Sequence, residues 1–237
     1  MDSGVTDRQL VIAGWVGLVG AFLVGVGEFT LQFSVLGGYE ATDYSYFARI
    51  SETRLTYGHF FSVLAAPAYL VGYWHLGQMF VRGGSYKAGW FITLFGGYAF
   101  VVGTAWLGGR VYLAYTAHAI ADATSANTLA VLSALLTNFA DHNEPLVNAL
   151  RLAMLVVSVL WVVLIARGKT LYPKWMAIFS PIALLGTIFV VYFYISPALG
   201  AWLLPAAMNV VHVIVFALSL LVLGSTQETV SNEGQFE

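Results

Sequence analysis

The chain has no cysteine among its 237 residues. That absence removes disulfides, thiolate metal sites, CxxC redox chemistry and cysteine nucleophiles together, while leaving the compartment open. Charge is almost as scarce. Only 9% of residues are Asp, Glu, Lys or Arg, against about 25% in an ordinary soluble domain. The net charge of −2 argues against a nucleic-acid partner, because phosphate backbones are gripped by an excess of Lys and Arg. Lys87, Lys169 and Lys174 all fall between apolar runs, so no lysine is placed for a retinal Schiff base. No GxSxG or HExxH occurs, and a serine hydrolase or zincin is not indicated. Gly14, Gly17 and Gly20 lie inside an apolar run with no strand before them, which excludes a nucleotide-binding loop.

What the chain does have is apolar length. It is 59% hydrophobic, with a mean hydropathy of +0.79. A membrane span needs about 20 largely apolar residues. Six stretches qualify, at 10–32, 57–81, 88–117, 146–166, 175–195 and 199–223. The expected fold is an all-α integral membrane protein, one domain over 1–237, with six transmembrane helices in one bundle and a flexible tail at 224–237. The first stretch reads as a retained span, because its leader is not basic and no A-x-A site follows. Pro67, Pro181 and Pro205 are expected to kink the spans that hold them.

Orientation follows from the basic residues. Arg8, Arg82, Lys87, Arg167, Lys169 and Lys174 fall on one side of this topology, and Arg49 and Arg54 on the other. The positive-inside rule then makes both termini cytoplasmic. Two segments lie on the outer side, 37–56 and 121–141. The first has Tyr44, Phe47 and Ile50 at helical spacing; the second has Leu129, Leu132, Leu136 and Phe139 on one stripe. Both read as short amphipathic helices in the membrane interface.

Small residues recur every four positions in the first span, at Ala13, Gly17, Ala21 and Gly25, as close helix packing requires. The polar residues are more telling. Glu28, Arg110 and Arg151 lie within spans, toward the outer side, where ionisable groups are costly and mark a polar pocket or a watery cavity. His59 with Ser62, Asn148 with Arg151, and Asn209 with His212 add polar faces in the same half. The candidate ligand-binding set is Glu28, His59, Arg110, Asn148, Arg151, Asn209 and His212, with Glu28 expected to contact Arg110 or Arg151. One carboxylate against two guanidinium groups leaves a positive surplus suited to an anion, unless Asp122 supplies the missing counter-charge. A structural ion pair and separate interhelical hydrogen bonds are the alternatives for the same residues. His118 and Asp122 have metal-ligand spacing on one helical face, which His59, His142, Glu144 or Glu28 could complete. No cofactor is expected. Two haems would need histidine pairs at two depths, although one haem between His118 and His212 stays open.

The stretch from Gly27 to His75 reads GEF, then YSYFARI, then RLTYGHFFSVLAAPAYLVGYWH. It resembles a family of small bacterial multi-helix membrane proteins known only as a domain of unknown function. The resemblance covers about a fifth of the chain. It implies the inner (plasma) membrane of a bacterial cell, carries no reaction or cofactor, and draws attention to Glu28, Arg54, His59 and His75. The leading expectation is a polar pocket in the outer leaflet that binds, or moves, a small amphipathic or anionic molecule. An intramembrane enzyme acting on a lipid-like substrate, with or without a metal, is the alternative; a structural subunit of a larger complex is the third.

Overall fold

The computed structural model describes residues 5–39 and 43–233, with side chains to residue 225. Residues 40–42 of the expected outer segment and 234–237 of the expected tail lie outside the described residues. Every element among the described residues is helical.

Helix α1 (Asp7–Gln32) begins with a reciprocal cap. Thr6 accepts from the Gln9 backbone N–H, and the Gln9 side chain accepts from the Thr6 N–H, which satisfies two amides that a helix start leaves free. The buried side of α1 is a ladder of small residues, including Ala13, Gly14, Gly17, Gly20 and Ala21. They let backbones touch: a Cβ on Gly17 would sit 2.6 Å from the Gly72 Cα. The glycines excluded as a nucleotide loop are thus packing residues.

The expected second span is two helices, α2 (Glu52–Ala65) and α3 (Ala68–Arg82). Pro67 has no N–H to continue the ladder. The joint tightens to three-residue hydrogen bonds, from Tyr69 N–H to Ala66 O (3.0 Å) and from Leu70 N–H to Pro67 O (3.1 Å). Gly58 of α2 closes on α1, where a Cβ would meet the Leu31 nitrogen at 2.6 Å.

Helices α4 (Tyr86–Ala121) and α5 (Ala126–Ala166) form a long antiparallel hairpin. At 1.5 Å per residue they measure about 54 and 62 Å, well beyond a hydrocarbon core of about 30 Å. The 121–141 segment is therefore not a separate interfacial helix. Ser125 caps the start of α5 by accepting from Thr128 N–H (3.1 Å), and neither Gly nor Pro interrupts the chain until Pro145. Leu136 and Ala140 pack toward the core. Leu129 and Phe139, expected on the same stripe, are exposed.

The 37–56 segment also departs from the interfacial expectation. It makes a five-residue 3-10 turn, Ser45–Arg49, and buries Tyr46, Phe47 and Ile50 in the bundle. Arg54 donates to Phe33 O (2.8 Å), and His118 Nε2 to Ile50 O (2.8 Å).

The fifth stretch is short. A 3-10 turn (Lys174–Phe179) leads into α6 (Pro181–Val190), which ends in a π-turn (Val191–Ile195). Pro181 starts this helix instead of kinking it, a position where its missing N–H costs nothing. Helix α7 (Pro197–Leu203), a 3-10 turn holding Pro205 and α8 (Ala207–Glu233) complete the chain. The described residues contain four helices long and apolar enough to cross a membrane: Asp7–Gln32, Tyr86–Ala121, Ala126–Ala166 and Pro197–Ser225. The chain is a helical, membrane-type protein.

Candidate functional site

Four helices and one loop segment meet near the end of α1. Glu28 lies one turn before the helix finishes and is 7% exposed. Its Oε1 accepts from Gln32 Nε2 (3.0 Å), and its Oε2 accepts from Asn209 Nδ2 of α8. The Asn209 oxygen accepts from the Tyr69 hydroxyl of α3 (2.6 Å). On the other side the Gln32 oxygen accepts from Arg110 Nε of α4 (2.8 Å). Glu28 and Arg110 therefore form no ion pair. The Gln32 amide stands between them, offering its carbonyl to the cation and its NH2 to the carboxylate.

Arg110 is 4% exposed and fully engaged. Its Nη2 donates to the Tyr46 hydroxyl (2.6 Å), and its Nη1 pairs with Glu144 of α5 (3.4 Å). Its guanidinium carbon lies 5.2 Å from the ring centroids of Tyr44, Phe47 and Trp106, within the range of cation–π attraction. The missing counter-charge is thus Glu144, not Asp122. Tyr44 donates to Glu144 as well (2.8 Å). It holds φ at 57°, a left-handed conformation that a bulky L residue adopts only under constraint. Burial raises the Tyr44 and Tyr46 phenols to about 12, with the Glu144 hydrogen bond adding to the shift at Tyr44 and Arg110 opposing it at Tyr46. Both stay neutral at ordinary pH, Tyr44 donating to Glu144 and Tyr46 accepting from Arg110.

Beside this network lies a cavity of about 260 Å³. Its polar wall carries Glu28, Asn209, Arg151, Tyr39 and Thr104; its apolar wall is built from α4, α5, α6 and the α7–α8 joint, with Phe100, Trp106, Leu185, Phe189 and Phe193 among its residues. The Tyr39 hydroxyl hydrogen-bonds to no described residue. Burial, with the negative charge of Glu28, pushes its pKa well up. Arg151 is exposed and, among the described residues, has one hydrogen bond, from Nη1 to Asn148 Oδ1 on its own helix (3.1 Å).

The seven candidate residues therefore separate. Glu28, Arg151 and Asn209 line the cavity. Arg110 is one layer away in the ion-pair network, and Asn148 supports Arg151 from outside. His212 is enclosed. Its Nδ1 faces Met208 O (2.7 Å) and its Nε2 faces the Tyr73 hydroxyl (2.6 Å); since a carbonyl can only accept, Nδ1 carries the proton. His59 lies on α2, edge-on to Phe60 at 5.2 Å, and its buried Nδ1 has no partner. Sequence reasoning missed Gln32, although Glu28 and Gln32 stand four residues apart on one helical face. It also missed Tyr39 and Tyr46, whose burial depends on how the 37–56 segment folds back.

A second cluster sits toward the other end of the bundle. His75 Nδ1 donates to Leu10 O (2.9 Å), Ser219 Oγ donates to His75 Nε2 (2.7 Å), and Tyr172 donates to Ser219 (2.6 Å). An oriented Ser–His pair is the layout of an activated nucleophile. Here both side chains are 0% exposed and neither lines the cavity beside Glu28. The arrangement instead joins α1, α3, α8 and the loop at Tyr172. Among the described residues no three His, Asp or Glu side chains are grouped as a metal site, and His118 is committed to Ile50.

Comparison with known proteins adds family membership. No curated protein and no solved structure matches the chain. A sequence model of a protein family spans residues 1–226, far more than the stretch that carries the resemblance in the sequence. The chain belongs to that family, described as a family of unknown function (DUF6796).

Proposed function

We propose that the protein crosses the membrane six times and binds an amphipathic molecule of the outer leaflet in the cavity beside Glu28. In this topology α2 and α3 together make the second span, and the stretch from 175 to 195 makes the fifth. Six of the eight basic residues outside the spans lie at the end of the bundle that holds the chain start and the 167–174 loop, which favours cytoplasmic termini. A cysteine at position 170 then labels only from the cytoplasmic side; labelling only from outside the cell overturns the orientation.

The observation that carries the binding reading is the two-faced wall of the cavity. Glu28, Asn209 and Arg151 line it together with Leu185, Phe189 and Phe193, and a cavity that is mostly apolar with a few convergent polar groups is the usual form of a small-molecule site. A preference for anions does not follow, because Glu144 neutralises Arg110 and the cavity keeps one charge of each sign. Native mass spectrometry on protein extracted in a nonionic detergent tests the reading. A bound amphiphile is expected on the native chain and not on Leu185→Trp, which fills the cavity without touching its polar wall. No bound species, and none acquired from added amphiphiles, contradicts it.

A further inference from the structure

Glu28 and Arg151 share one cavity but form no ion pair with each other; the ion pairs among the described residues are Arg82–Asp7 and Arg110–Glu144. Two opposite charges on the walls of one cavity, held apart, ask for a ligand that presents the complementary pair. We infer that the cavity takes a zwitterionic head group, with an ammonium received by Glu28 and a phosphate received by Arg151. The inference rests on the reading of the cavity as a site for an amphipathic molecule.

Each partner has capacity to spare. Each Glu28 oxygen accepts one hydrogen bond, and a quaternary ammonium, which has no N–H, needs only the charge of the carboxylate. Arg151 spends only Nη1 on Asn148, which leaves Nε and Nη2 for an anion in the two-pronged geometry guanidinium favours. Tyr39, Trp106 and Phe193 line the same cavity, and aromatic faces attract an organic cation. The two simpler heads are each opposed. A lone anion at Arg151 brings its charge toward Glu28, and a lone cation at Glu28 brings its charge toward Arg151. Arg151 is about two turns into its expected span, at the depth where an outer-leaflet phospholipid carries its head.

The test titrates the purified full chain, in dodecyl maltoside, with dodecylphosphocholine, dodecyl phosphate, dodecyltrimethylammonium and tail-free phosphocholine, read by calorimetry. Dodecylphosphocholine is expected to bind about tenfold tighter than either singly charged ligand, the gain from placing both of its charges against opposite ones. Arg151→Gln, at an exposed position, should reduce it to the level of dodecyltrimethylammonium. Glu28→Gln should reduce it to the level of dodecyl phosphate; if that variant does not fold, the Arg151 arm decides alone. Equal binding of all three dodecyl ligands, or an unchanged affinity in Arg151→Gln, overturns the head-group assignment while the amphiphile reading stands. Tail-free phosphocholine binding as tightly as the dodecyl form keeps the head group and overturns a lipid as its source. No binding by any dodecyl ligand overturns both.

Discussion

Around His75 and around Glu28 the protein assembles polar side chains from several helices, and the two clusters end differently. At His75 the chain of donors closes on itself: Tyr172 to Ser219, Ser219 to His75, His75 to the Leu10 carbonyl. At Glu28 the chain runs from Tyr69 through Asn209, Glu28, Gln32 and Arg110 to Glu144 and Tyr46, and one side of it faces a cavity. Polar residues inside a membrane bundle are thus not of one kind. A closed network holds helices together, whereas a network that leaves charges facing a void has capacity for something else. Depth and residue type alone do not separate the two; hydrogen-bond closure does.

The largest effect should come from breaking the network next to the cavity. Arg110→Met leaves the buried Gln32 and Tyr46 oxygens without their donor, at about 1–3 kcal/mol each, and also removes the guanidinium from three aromatic rings, while Glu144, 41% exposed, adds little. Denaturation in mixed micelles measures it, and replacing Glu144 by Gln in the same chain should restore little of the loss. A loss below about 1 kcal/mol would mean that the bundle end is held by packing alone. The closed cluster should give a smaller loss. His75→Phe keeps a ring but strips partners from Leu10 O and Ser219, for which about 1–3 kcal/mol is expected. Amphiphile binding should be unchanged in that variant, since His75 does not line the cavity beside Glu28; altered binding would show that the two clusters are coupled.

The fold was legible where length and composition decide it. The apolar runs at 10–32, 88–117 and 146–166 all became long helices. The break in the second stretch was legible, since Pro67 was expected to kink its span and does part α2 from α3; the break in the fifth was not, because the π-turn at Val191–Ile195 acts through local hydrogen bonding that composition does not register. The 121–141 segment was misplaced for another reason. An amphipathic stripe looks the same whether it lies on lipid or on a neighbouring helix, and here the neighbour is α4. In the site, Glu28, Arg151 and Asn209 were readable from charge and polarity at depth. Gln32, Tyr39 and Tyr46 were not, since an uncharged polar residue at a span end is ordinary and their role arises only from the fold-back of the chain after α1. Glu144 was weighed only as a metal ligand, because Pro145 obscured that it begins inside a helix facing Arg110.

Two weaker effects sharpen the comparison further. The Tyr44 and Tyr46 phenols sit at about 12 against an ordinary 10.0. A folded-state pKa above the unfolded one gives stability that is complete below pH 10 and lost as pH rises from about 10 toward 12. Tyrosinate absorbance, read as the difference between the native chain and the Tyr44→Phe, Tyr46→Phe chain, should therefore show these two groups titrating late, together with release of the 43–50 segment in hydrogen exchange. Early titration near pH 10 would place both phenols in water. The smallest effect concerns the cavity's own cation. Arg151→Gln should alter stability by no more than about 0.5 kcal/mol, as an exposed group with a single same-helix contact should, whereas a large loss would make Arg151 a structural residue.

A structure determined in a lipid bilayer of mixed phospholipids tests the central claim most directly. Elongated density reaching from Glu28 and Arg151 along Leu185 and Phe189, with closed packing around His75 and Ser219, is the predicted result. A cavity collapsed by Arg151 swinging in to pair with Glu28, with no density beside it, would contradict the claim.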